Sequence, residues 1–549
     1  GGGGPGPEQQ QAVVDPEVGR DNPAEKKAQK LARSVTRGVI DRDLKPDGSE
    51  RRVISRVLRL PPGAPLSGEE RQLLWRLRYA LTGERRALTK FLKCVDWGDA
   101  GEAGQVVKEL IPRWVPIDVA DALELLSPEF TNDDVRAYAV SVLGRAGDDE
   151  LLLYLLQLVQ AVRYERADDS PLAGFLVRRA VGSRALANAL HWYLYVEAQG
   201  DIAFGPRFVH VHSRFVEAQV AAGPRGEAAW ESIRVQTELT AQLCKIVDLV
   251  AATRGGTERK VERLRSMLSE QGLCGELVSV PGGIPLPYNP QVTLTGVVPG
   301  ESSVFRSALH PLRLAFRTAA GGQCTVIFKK GDDLRQDQLV VQMISLMDRL
   351  LKRESLDLRL TPYRVLSTGC DHGLIEFVPT SQPLSMVLRD HRAIATYLSL
   401  HSPDPEGPYG MAPEVLETFV RSCAGYCVIT FILGVGDRHL DNLLLATDGR
   451  IFHIDFGFIM GRDPKLGAPP MKLCKEMVEA MGGAGSAHYA RFQSYCCEAY
   501  NILRKSSNLI LNLFHLMAGS AGDPICNSFM VTVRVCAVWS HPIPRPLLF

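Results

Sequence analysis

The chain has 549 residues, more than a single hydrophobic core usually organises, so we predict at least two domains. Its formal net charge of +1 argues against strong whole-chain attraction to polyanions, and we predict no nucleic-acid partner. The 12 cysteines show no Cys-x-x-Cys spacing, which favours reduced, buried thiols over a zinc site or a disulfide framework.

The N-terminal segment, residues 1–27, starts with Gly1 rather than methionine and is rich in glycine, proline and charged residues. It has little to bury, so we predict that it is disordered. Its start also leads us to expect a fragment or a processed product. We predict no secretory signal, and no membrane span, because no run of about 18 uncharged apolar residues occurs.

Residues 28–271 carry a helical pattern. Apolar residues recur at helical spacing between Leu73 and Val95, and Asn132 offers an N-cap to the helix that follows it. The segment Leu151–Val162 is almost entirely apolar. Short helices separated by Gly, Pro, Asp and Ser predict stacked antiparallel pairs, an all-α, solenoid-like accessory domain. A generic helical bundle is the alternative.

The pattern changes after residues 272–290, a Gly- and Pro-rich segment that we interpret as a linker. Strands are predicted at Val292–Val298, Leu312–Thr318, Thr325–Lys329 and Leu374–Val378, and helices at Asp337–Lys352 and Val415–Leu433. A strand-rich half (291–378) thus precedes a helix-rich half (379–526). This order fits a two-lobed α+β kinase-like domain that binds a nucleotide between its lobes.

One short segment carries most of the chemistry. It contains Gly-Val-Gly-Asp-Arg-His-Leu-Asp-Asn at 434–442 and His-Ile-Asp-Phe-Gly at 453–457. Protein kinases use His-Arg-Asp and a following Asn, then Asp-Phe-Gly, for phosphoryl transfer. Here the first triplet is reversed to Asp-Arg-His, which favours a lipid kinase.

Each polar residue of that segment has a predicted role. Asp455 and Asn442 are the candidate ligands for Mg²⁺, which prefers few carboxylates plus phosphates and waters. His439 is the candidate general base, because its ordinary pKa of about 6.5 suits proton acceptance near neutrality. Asp437 is the alternative base, or orients His439. We expect Arg438 to hold the catalytic loop by charge-assisted hydrogen bonds.

The nucleotide-binding candidates lie in the strand-rich half. Lys329 ends a strand and can bind phosphate oxygens, and Asp337 on the next helix can pair with it. Tyr363 is expected to line the same pocket. Ser307 and Ala308, between two strands, would let backbone N–H groups approach phosphate, with a plain β-turn as the alternative.

The connector between the lobes is predicted at Ile375-Glu376-Phe377-Val378. Backbone groups of Glu376 and Val378 could bind an adenine edge, with Ile375 and Phe377 as apolar walls. An ordinary buried strand is the alternative.

Three stretches resemble the phosphatidylinositol 3- and 4-kinase superfamily, and within it the class III phosphatidylinositol 3-kinases of vacuolar sorting and autophagy. They are VIFKKGDDLRQDQ (Val326–Gln338), SCAGYCVITFILGVGDRHLDNLLL (Ser422–Leu445) and FHIDFGFIMGRDPKLGAPPMKLCK (Phe452–Lys475). Lys90–Val95 and Leu151–Val162 are similar to the helical domain of that family. The resemblance covers roughly 28–520.

The resemblance implies ATP as donor, the inositol 3-hydroxyl of phosphatidylinositol as acceptor, and Mg²⁺, or Mn²⁺, as metal. It also implies a pseudokinase-like regulatory subunit and a beclin-type scaffold as partners. The location it implies is cytoplasmic and peripheral on endosomal and autophagosomal membranes, in support of autophagy and endosomal trafficking.

The loop after Asp455 bears on which lipid is used. A headgroup with extra phosphates needs clustered cations, whereas this loop scatters Arg462, Lys465 and Lys472, with Asp463 cancelling part of the charge. We therefore predict unphosphorylated phosphatidylinositol as substrate.

The chain departs from the family pattern in three places. We expect this chain to lack the N-terminal β-sandwich of the family and the Ser-rich insertion of its helical region, and the tail 527–549 is unlike the family. Pro542, Pro544 and Pro546 forbid a helical ending there, and we interpret the tail as an alternative splice product or a read-through intron. A single uninterrupted exon across the codons for Ala521 to Ser528 would refute this. Two alternatives stay open: a weakly active or inactive partner-binding isoform, and a phosphatidylinositol 4-kinase.

Overall fold

The computed structural model describes residues 42–467 and 469–517. The segment predicted to be disordered (1–27) and the tail (527–549) lie outside the described residues. The described chain divides into two compact units, one of residues 42–60 and 65–116 and the other of residues 61–64 and 117–517.

The first unit is helical. Its helices are α1 (Gly48–Leu58), α2 (Gly68–Arg76), α3 (Arg78–Leu81), α4 (Ala87–Leu92), α5 (Ala100–Gln105) and α6 (Ile111–Arg113), with a π-helical turn at Val106–Leu110. Capping boxes at Asp47 and Ser67 start α1 and α2. Trp75, Phe91 and Trp114 stack in series in the core, with ring centroids 5.9 and 5.3 Å apart.

The second unit begins with the remaining accessory helices. These are α7 (Val119–Glu124), α8 (Asp133–Leu143), α9 (Asp148–Leu152), α10 (Leu155–Ala161), α11 (Pro171–Gly182), α12 (Arg184–Gly200), α13 (Gly205–Ala221), α14 (Pro224–Ala251) and α15 (Thr257–Met267). Asn132 caps α8 as predicted, accepting from the N–H groups of Asp134 and Val135. From α11 to α14 each helix packs against the next, which confirms the helical accessory domain.

A seven-stranded antiparallel sheet follows, in the order β1-β2-β4-β5-β7-β6, with β3 paired to β4. Its strands are β1 (Ile284–Leu286), β2 (Asn289–Val297), β3 (Ser303–Val304), β4 (Leu312–Thr318), β5 (Gln323–Lys330), β6 (Val365–Ser367) and β7 (His372–Glu376). The linker prediction is wrong for residues 284–290, which form β1 and the start of β2. An edge strand tolerates Pro285, because one side of it needs no ladder hydrogen bonds.

The accessory helices and this sheet share one hydrophobic core. Leu243 and Ile246 of α14 and Leu264 of α15 belong to the same buried cluster as Leu314 and Phe328 of the sheet. Residues 239–268 are thus part of the core that supports the strand-rich lobe, although their helical pattern placed them in a separate accessory domain.

The helix-rich lobe completes the second unit. Helix α16 (Arg335–Arg353) connects β5 to β6, and the later helices are α17 (Leu384–His391), α18 (Ile394–His401), α19 (Pro413–Leu433), α20 (Lys475–Ala480), α21 (Ala487–Lys505) and α22 (Ser507–Met517). A small sheet has the order β10-β9-β8, from β8 (Ser381–Pro383), β9 (Leu443–Ala446) and β10 (Ile451–His453). Helix α19 has the length and hydropathy of a membrane span, but 72% of its most apolar window is buried inside the lobe.

Candidate active site

The β9–β10 hairpin brings the two halves of the catalytic segment together. Leu443 pairs with His453 in the antiparallel register, so Asn442 and Asp455 lie at the same end of the hairpin. The N–H of Ile454 donates to the carbonyl oxygen of Asn442 at 3.1 Å and extends that pairing. The two predicted metal ligands are therefore adjacent because of strand register.

Two aspartates of the segment have left-handed backbone conformations, Asp437 with φ +52° and Asp455 with φ +59°. Non-glycine residues adopt this region at an energetic cost, and aspartate does so more readily than most. Surrounding hydrogen bonds hold both: the N–H of Asp437 donates to Asp463 Oδ2 at 2.9 Å, and the carbonyl oxygen of Asp455 accepts from Arg438.

Arg438 joins the catalytic loop to the Asp-Phe-Gly turn. Its Nε donates to the carbonyl oxygen of Gly436 and its Nη1 to that of Ile454, both at 2.8 Å. The guanidinium carbon lies 5.6 Å from the centre of the Phe456 ring. Burial lowers the pKa of Arg438, and the nearby carboxylates of Asp455 and Asp437 oppose that shift. All three guanidinium nitrogens of Arg438 thus donate to backbone carbonyl oxygens of the catalytic loop and the Asp-Phe-Gly turn.

His439 lies between two carboxylates. Its Nδ1 accepts a hydrogen bond from the N–H of Asp441 at 3.2 Å, and its Nε2 is 3.9 Å from Asp437 Oδ2. A neutral ring that accepts at Nδ1 carries its proton on Nε2. In this conformation the Asp437 carboxylate is a ready proton acceptor, whereas His439 accepts a proton once the Asp441 contact opens.

The donor set is of a kind that would hold a divalent metal ion. Asn442 is buried, and its Nδ2 donates to the carbonyl oxygen of Asp437 at 3.0 Å, so its Oδ1 is the atom left for a metal. Asp455 supplies a carboxylate. Within the described ranges no group of three or more His, Cys, Asp or Glu residues could hold a metal, so this pair remains the metal candidate.

The first turn of α16 holds the Asp-Phe-Gly turn from the other side. Gln336 Nε2 donates to the carbonyl oxygen of Phe456 at 2.6 Å, and the N–H of Phe456 donates to Asp337 Oδ1 at 3.0 Å. Sequence analysis missed Gln336, and its only signal was its position beside Asp337. Burial raises the pKa of Asp337 to about 6; the Phe456 N–H and Lys329 oppose the shift, and Asp455 adds to it.

Lys329 pairs differently from the prediction. Its Nζ lies 2.5 Å from Asp332 Oδ2, whereas the hydrogen bond of Asp337 goes to the Phe456 backbone. Asp337 acts on Lys329 only as a nearby charge. The motif offers several aspartates, and the bend after β5 determines which of them reaches the lysine.

Ser307 and Ala308 lie on the exposed loop between β3 and β4. The loop is closed by the N–H of Phe305, which donates to the carbonyl oxygen of Pro311 at 2.9 Å. The loop also reaches the end of β5, because a Cβ on Gly331 would lie 3.0 Å from Leu309. The predicted phosphate loop and Lys329 are thus on neighbouring segments.

Tyr363 lies under the site. It is buried, and its ring centre is 6.1 Å from that of Phe452. Burial raises the pKa of its phenol, and the Asp337 carboxylate adds to that shift. The residue therefore contributes a neutral phenol to the floor of the site.

Glu376 of the predicted connector is the last residue of strand β7. Its N–H donates to the carbonyl oxygen of Arg364 at 2.8 Å, so the predicted adenine contact at this residue would fall to its carbonyl oxygen. The N–H of Phe377 donates to Thr325 at 3.4 Å, while its ring packs under Arg313 at 4.8 Å. Ile375 pairs with Ile327 inside the sheet, and Val378 follows the strand.

The three predicted headgroup cations differ in their surroundings. Arg462 and Lys465 are exposed beside the catalytic loop. The backbone oxygen of Lys472 instead accepts from Cys427 Sγ of α19 at 3.6 Å. Asp463 separates the first two: its Oδ1 accepts from the N–H of Lys465 at 2.8 Å, and these backbone hydrogen bonds lower its pKa.

Comparisons with known proteins agree with this geometry. Residues 323–526 match the family model "Phosphatidylinositol 3- and 4-kinase", and residues 42–224 match "Phosphoinositide 3-kinase family, accessory domain (PIK domain)". The chain is 61% identical over 523 residues to "Phosphatidylinositol 3-kinase, root isoform" of Glycine max, covering 93% of this chain and 64% of that protein.

Two further relatives carry the name "Phosphatidylinositol 3-kinase VPS34". The protein of Arabidopsis thaliana is 59% identical over 93% of this chain and 64% of its own length. That of Saccharomyces cerevisiae is 39% identical over 92% of this chain and 62% of its own length. The chain therefore spans less than two thirds of the length of these relatives.

Proposed function

Because the chain belongs to the phosphatidylinositol 3-kinase family, we propose that it transfers the γ-phosphoryl group of ATP to the 3-hydroxyl of phosphatidylinositol, giving phosphatidylinositol 3-phosphate. The observation that carries the proposal is the hairpin that places Asn442 and Asp455 side by side next to Asp437 and His439. The product would support autophagy and endosomal trafficking.

In the proposed reaction Lys329 binds phosphate oxygens of ATP, and Asn442 and Asp455 hold Mg²⁺. When bound, Mg²⁺ neutralises charge on the transferring phosphoryl group. The Asp437–His439 pair takes the proton of the lipid hydroxyl as its oxygen bonds to the γ-phosphorus, and the bond from that phosphorus to ADP breaks. Arg438 and the Gln336–Asp337 pair keep the loops in place by holding their backbone.

Charge near the catalytic loop supports unphosphorylated phosphatidylinositol as acceptor. Arg462 and Lys465 are exposed, whereas Lys472 is half-buried with its backbone oxygen bound to Cys427 of α19. Asp463, between the first two in sequence, adds a negative charge next to the Lys465 backbone. Extra phosphates on a headgroup would require more clustered cations. Vesicles containing phosphatidylinositol, its 4-phosphate or its 4,5-bisphosphate, offered side by side, test this; preference for the bisphosphate would overturn it.

The deciding experiment uses the purified 549-residue chain with ATP, Mg²⁺ and phosphatidylinositol vesicles, and separates 3- from 4-phosphate products. Asp455→Ala is the matched inactive control, because it removes one carboxylate at an exposed position. We expect the 3-phosphate, and loss of product in the variant. A 4-phosphate product would assign the 4-kinase alternative, and equal signals from both proteins would eliminate the enzyme.

One observation favours a second function, that of an isoform that binds partner proteins and has little kinase activity itself. The family match ends at residue 526, where the atypical tail begins. We propose for either case a peripheral location on endosomal and autophagosomal membranes, with a pseudokinase-like subunit and a beclin-type scaffold as partners. Copurification of such subunits with a tagged chain tests this; recovery of the chain alone from membrane extracts would argue against it.

A further inference from the structure

Helix α16 is joined to accessory helix α10 by a reciprocal pair of side-chain amides. Gln157 Nε2 donates to Gln342 Oε1 at 3.1 Å, and Gln342 Nε2 donates to Gln157 Oε1 at 2.9 Å. Gln342 Nε2 also donates to the carbonyl oxygen of Leu153 at 2.7 Å. Gln157 is fully buried. Because a buried amide that loses its partner is costly, this contact favours one register of α16 against α10.

Two more contacts fix the same helix to the accessory domain. Towards its end, Arg349 Nη1 donates to the carbonyl oxygen of Asp149 at 3.1 Å. At its start, Arg335 Nη1 lies 3.9 Å from Oε1 of the buried Glu197 of α12. The accessory helices therefore touch α16 at its beginning, middle and end.

The first turn of the same helix is the part that holds the Asp-Phe-Gly turn. Gln336 and Asp337 bind the carbonyl oxygen and the N–H of Phe456, the residue directly after Asp455. A shift of α16 along its axis would move both contacts together, since a helix transmits displacement as a rigid body. The position of the Asp455 carboxylate thus depends on where α16 sits.

We propose that Gln157 and Gln342 are positioning residues for phosphoryl transfer: their amide pair sets the register of α16, and α16 in turn sets the Asp-Phe-Gly turn. The accessory domain is then part of the catalytic apparatus. The expected change in lipid phosphorylation rests on the proposed function. The expected change in the hydrogen bonding of Phe456 does not depend on it.

The test compares Gln342→Met with the wild type, because Met keeps the length of the side chain and removes its hydrogen bonds. Ser345→Ala is the matched control: it is half-buried on the same helix, and its hydroxyl donates only to the Val341 carbonyl of its own helix. Amide hydrogen exchange is followed at Phe456 and, as a reference for general loosening, at the strand Leu443–Ala446. The Mg²⁺ concentration for half-maximal lipid phosphorylation and the KM for phosphatidylinositol are measured alongside.

We expect exchange at Phe456 to accelerate about fivefold or more in Gln342→Met, with little change in β9 or in the control. The Mg²⁺ requirement should rise about threefold while the KM for lipid changes less. The segment between the turn and the headgroup cations has its own anchor, since the N–H groups of Met460 and Gly461 donate to the carbonyl oxygens of Leu433 and Gly434. Gln157→Met should act in the same direction with a smaller effect, because Gln342 keeps its hydrogen bond to the Leu153 carbonyl. The double variant should be no worse than Gln342→Met, as residues acting through one contact are non-additive.

Wild-type exchange at Phe456 in Gln342→Met, or equal acceleration at Phe456 and in β9, would overturn the proposal even if the melting temperature fell. Additive effects of the two Met substitutions would do the same. If the wild-type chain forms no lipid product, the proposed function fails. The exchange measurement at Phe456 still decides whether the Gln157–Gln342 contact is coupled to the Asp-Phe-Gly turn.

Discussion

The carboxylate of Asp463 accepts a hydrogen bond from the backbone N–H of Asp437 at 2.9 Å, so a residue of the loop after Asp455 shapes the catalytic loop. We expect Asp463→Ala to lower kcat roughly 10- to 100-fold, because it releases a strained residue from its position near the reacting hydroxyl. Steady-state kinetics with varied ATP and lipid measures this.

Asp463→Asn is the control for that prediction. Its one amide oxygen can accept from the Asp437 N–H, while the charge and the hydrogen bond from the Lys465 N–H are removed. We expect it to retain most of the activity and to use phosphorylated phosphatidylinositols better than the wild type does. Equal loss in both variants would show that the charge or the Lys465 contact, and not the hydrogen bond to Asp437, is what matters at this position.

The two candidate bases can be separated by substitution. Because the Asp441 N–H occupies His439 Nδ1, the Asp437 carboxylate is the acceptor that is ready in this conformation. We expect Asp437→Asn to lower kcat by about 10²- to 10⁴-fold, the usual contribution of a general base, and at least as much as His439→Asn. Near wild-type turnover in Asp437→Asn, with His439→Asn inactive, would assign the base to His439.

Close approach of two loops requires glycine at position 436. A Cβ there would lie 2.1 Å from the carbonyl oxygen of Arg462. We expect Gly436→Ala to push the loops apart and to cut kcat about 100-fold, since small displacements of catalytic groups are costly. Nucleotide affinity, measured by calorimetry, should change little, because Lys329, the candidate phosphate-binding residue, lies on β5 and on neither of these loops. Gly485→Ala, with open space around its Cβ, is the control and should behave as wild type.

The spacing of apolar residues, alternating in strands and periodic in helices, predicted the strands and helices that carry the site. Strand Leu312–Thr318 matches in both bounds, and helix α19 ends where expected, at Leu433 before the left-handed Gly434. Such patterns report which face of an element is apolar but not what covers it. The core that α14 and α15 share with the sheet therefore became visible only in three dimensions.

The roles of individual polar residues were predicted where the motif offered one candidate and missed where it offered several. Asp332 and Asp337 are both within reach of a lysine by sequence, and the bend after β5 chose Asp332 for the ion pair. Asp463 looked like a neutralising charge because its contact with the Asp437 N–H depends on a loop-to-loop approach.

A histidine pair in the accessory domain, with His191 buried and His212 half-buried, is expected to make stability depend on pH. His191 Nδ1 and His212 Nε2 are 2.9 Å apart, and His191 Nε2 lies 3.3 Å from Thr237 Oγ1. Burial, and to a smaller extent His212, lowers the pKa of His191 to about 3, whereas the unfolded chain titrates near 6.5. Between these values the unfolded state binds more protons, so stability falls as pH falls.

Because the unfolded chain binds one more proton at His191 than the folded chain does, the free energy of unfolding should drop by up to about 1.4 kcal/mol per pH unit below 6.5. We expect His191→Gln, which cannot titrate, to flatten the decline of the urea midpoint between pH 7 and pH 5, even if it is less stable at pH 7. The exposed His401→Gln should leave the slope as it is in the wild type. Parallel curves for wild type and His191→Gln would mean that the pair does not govern acid sensitivity.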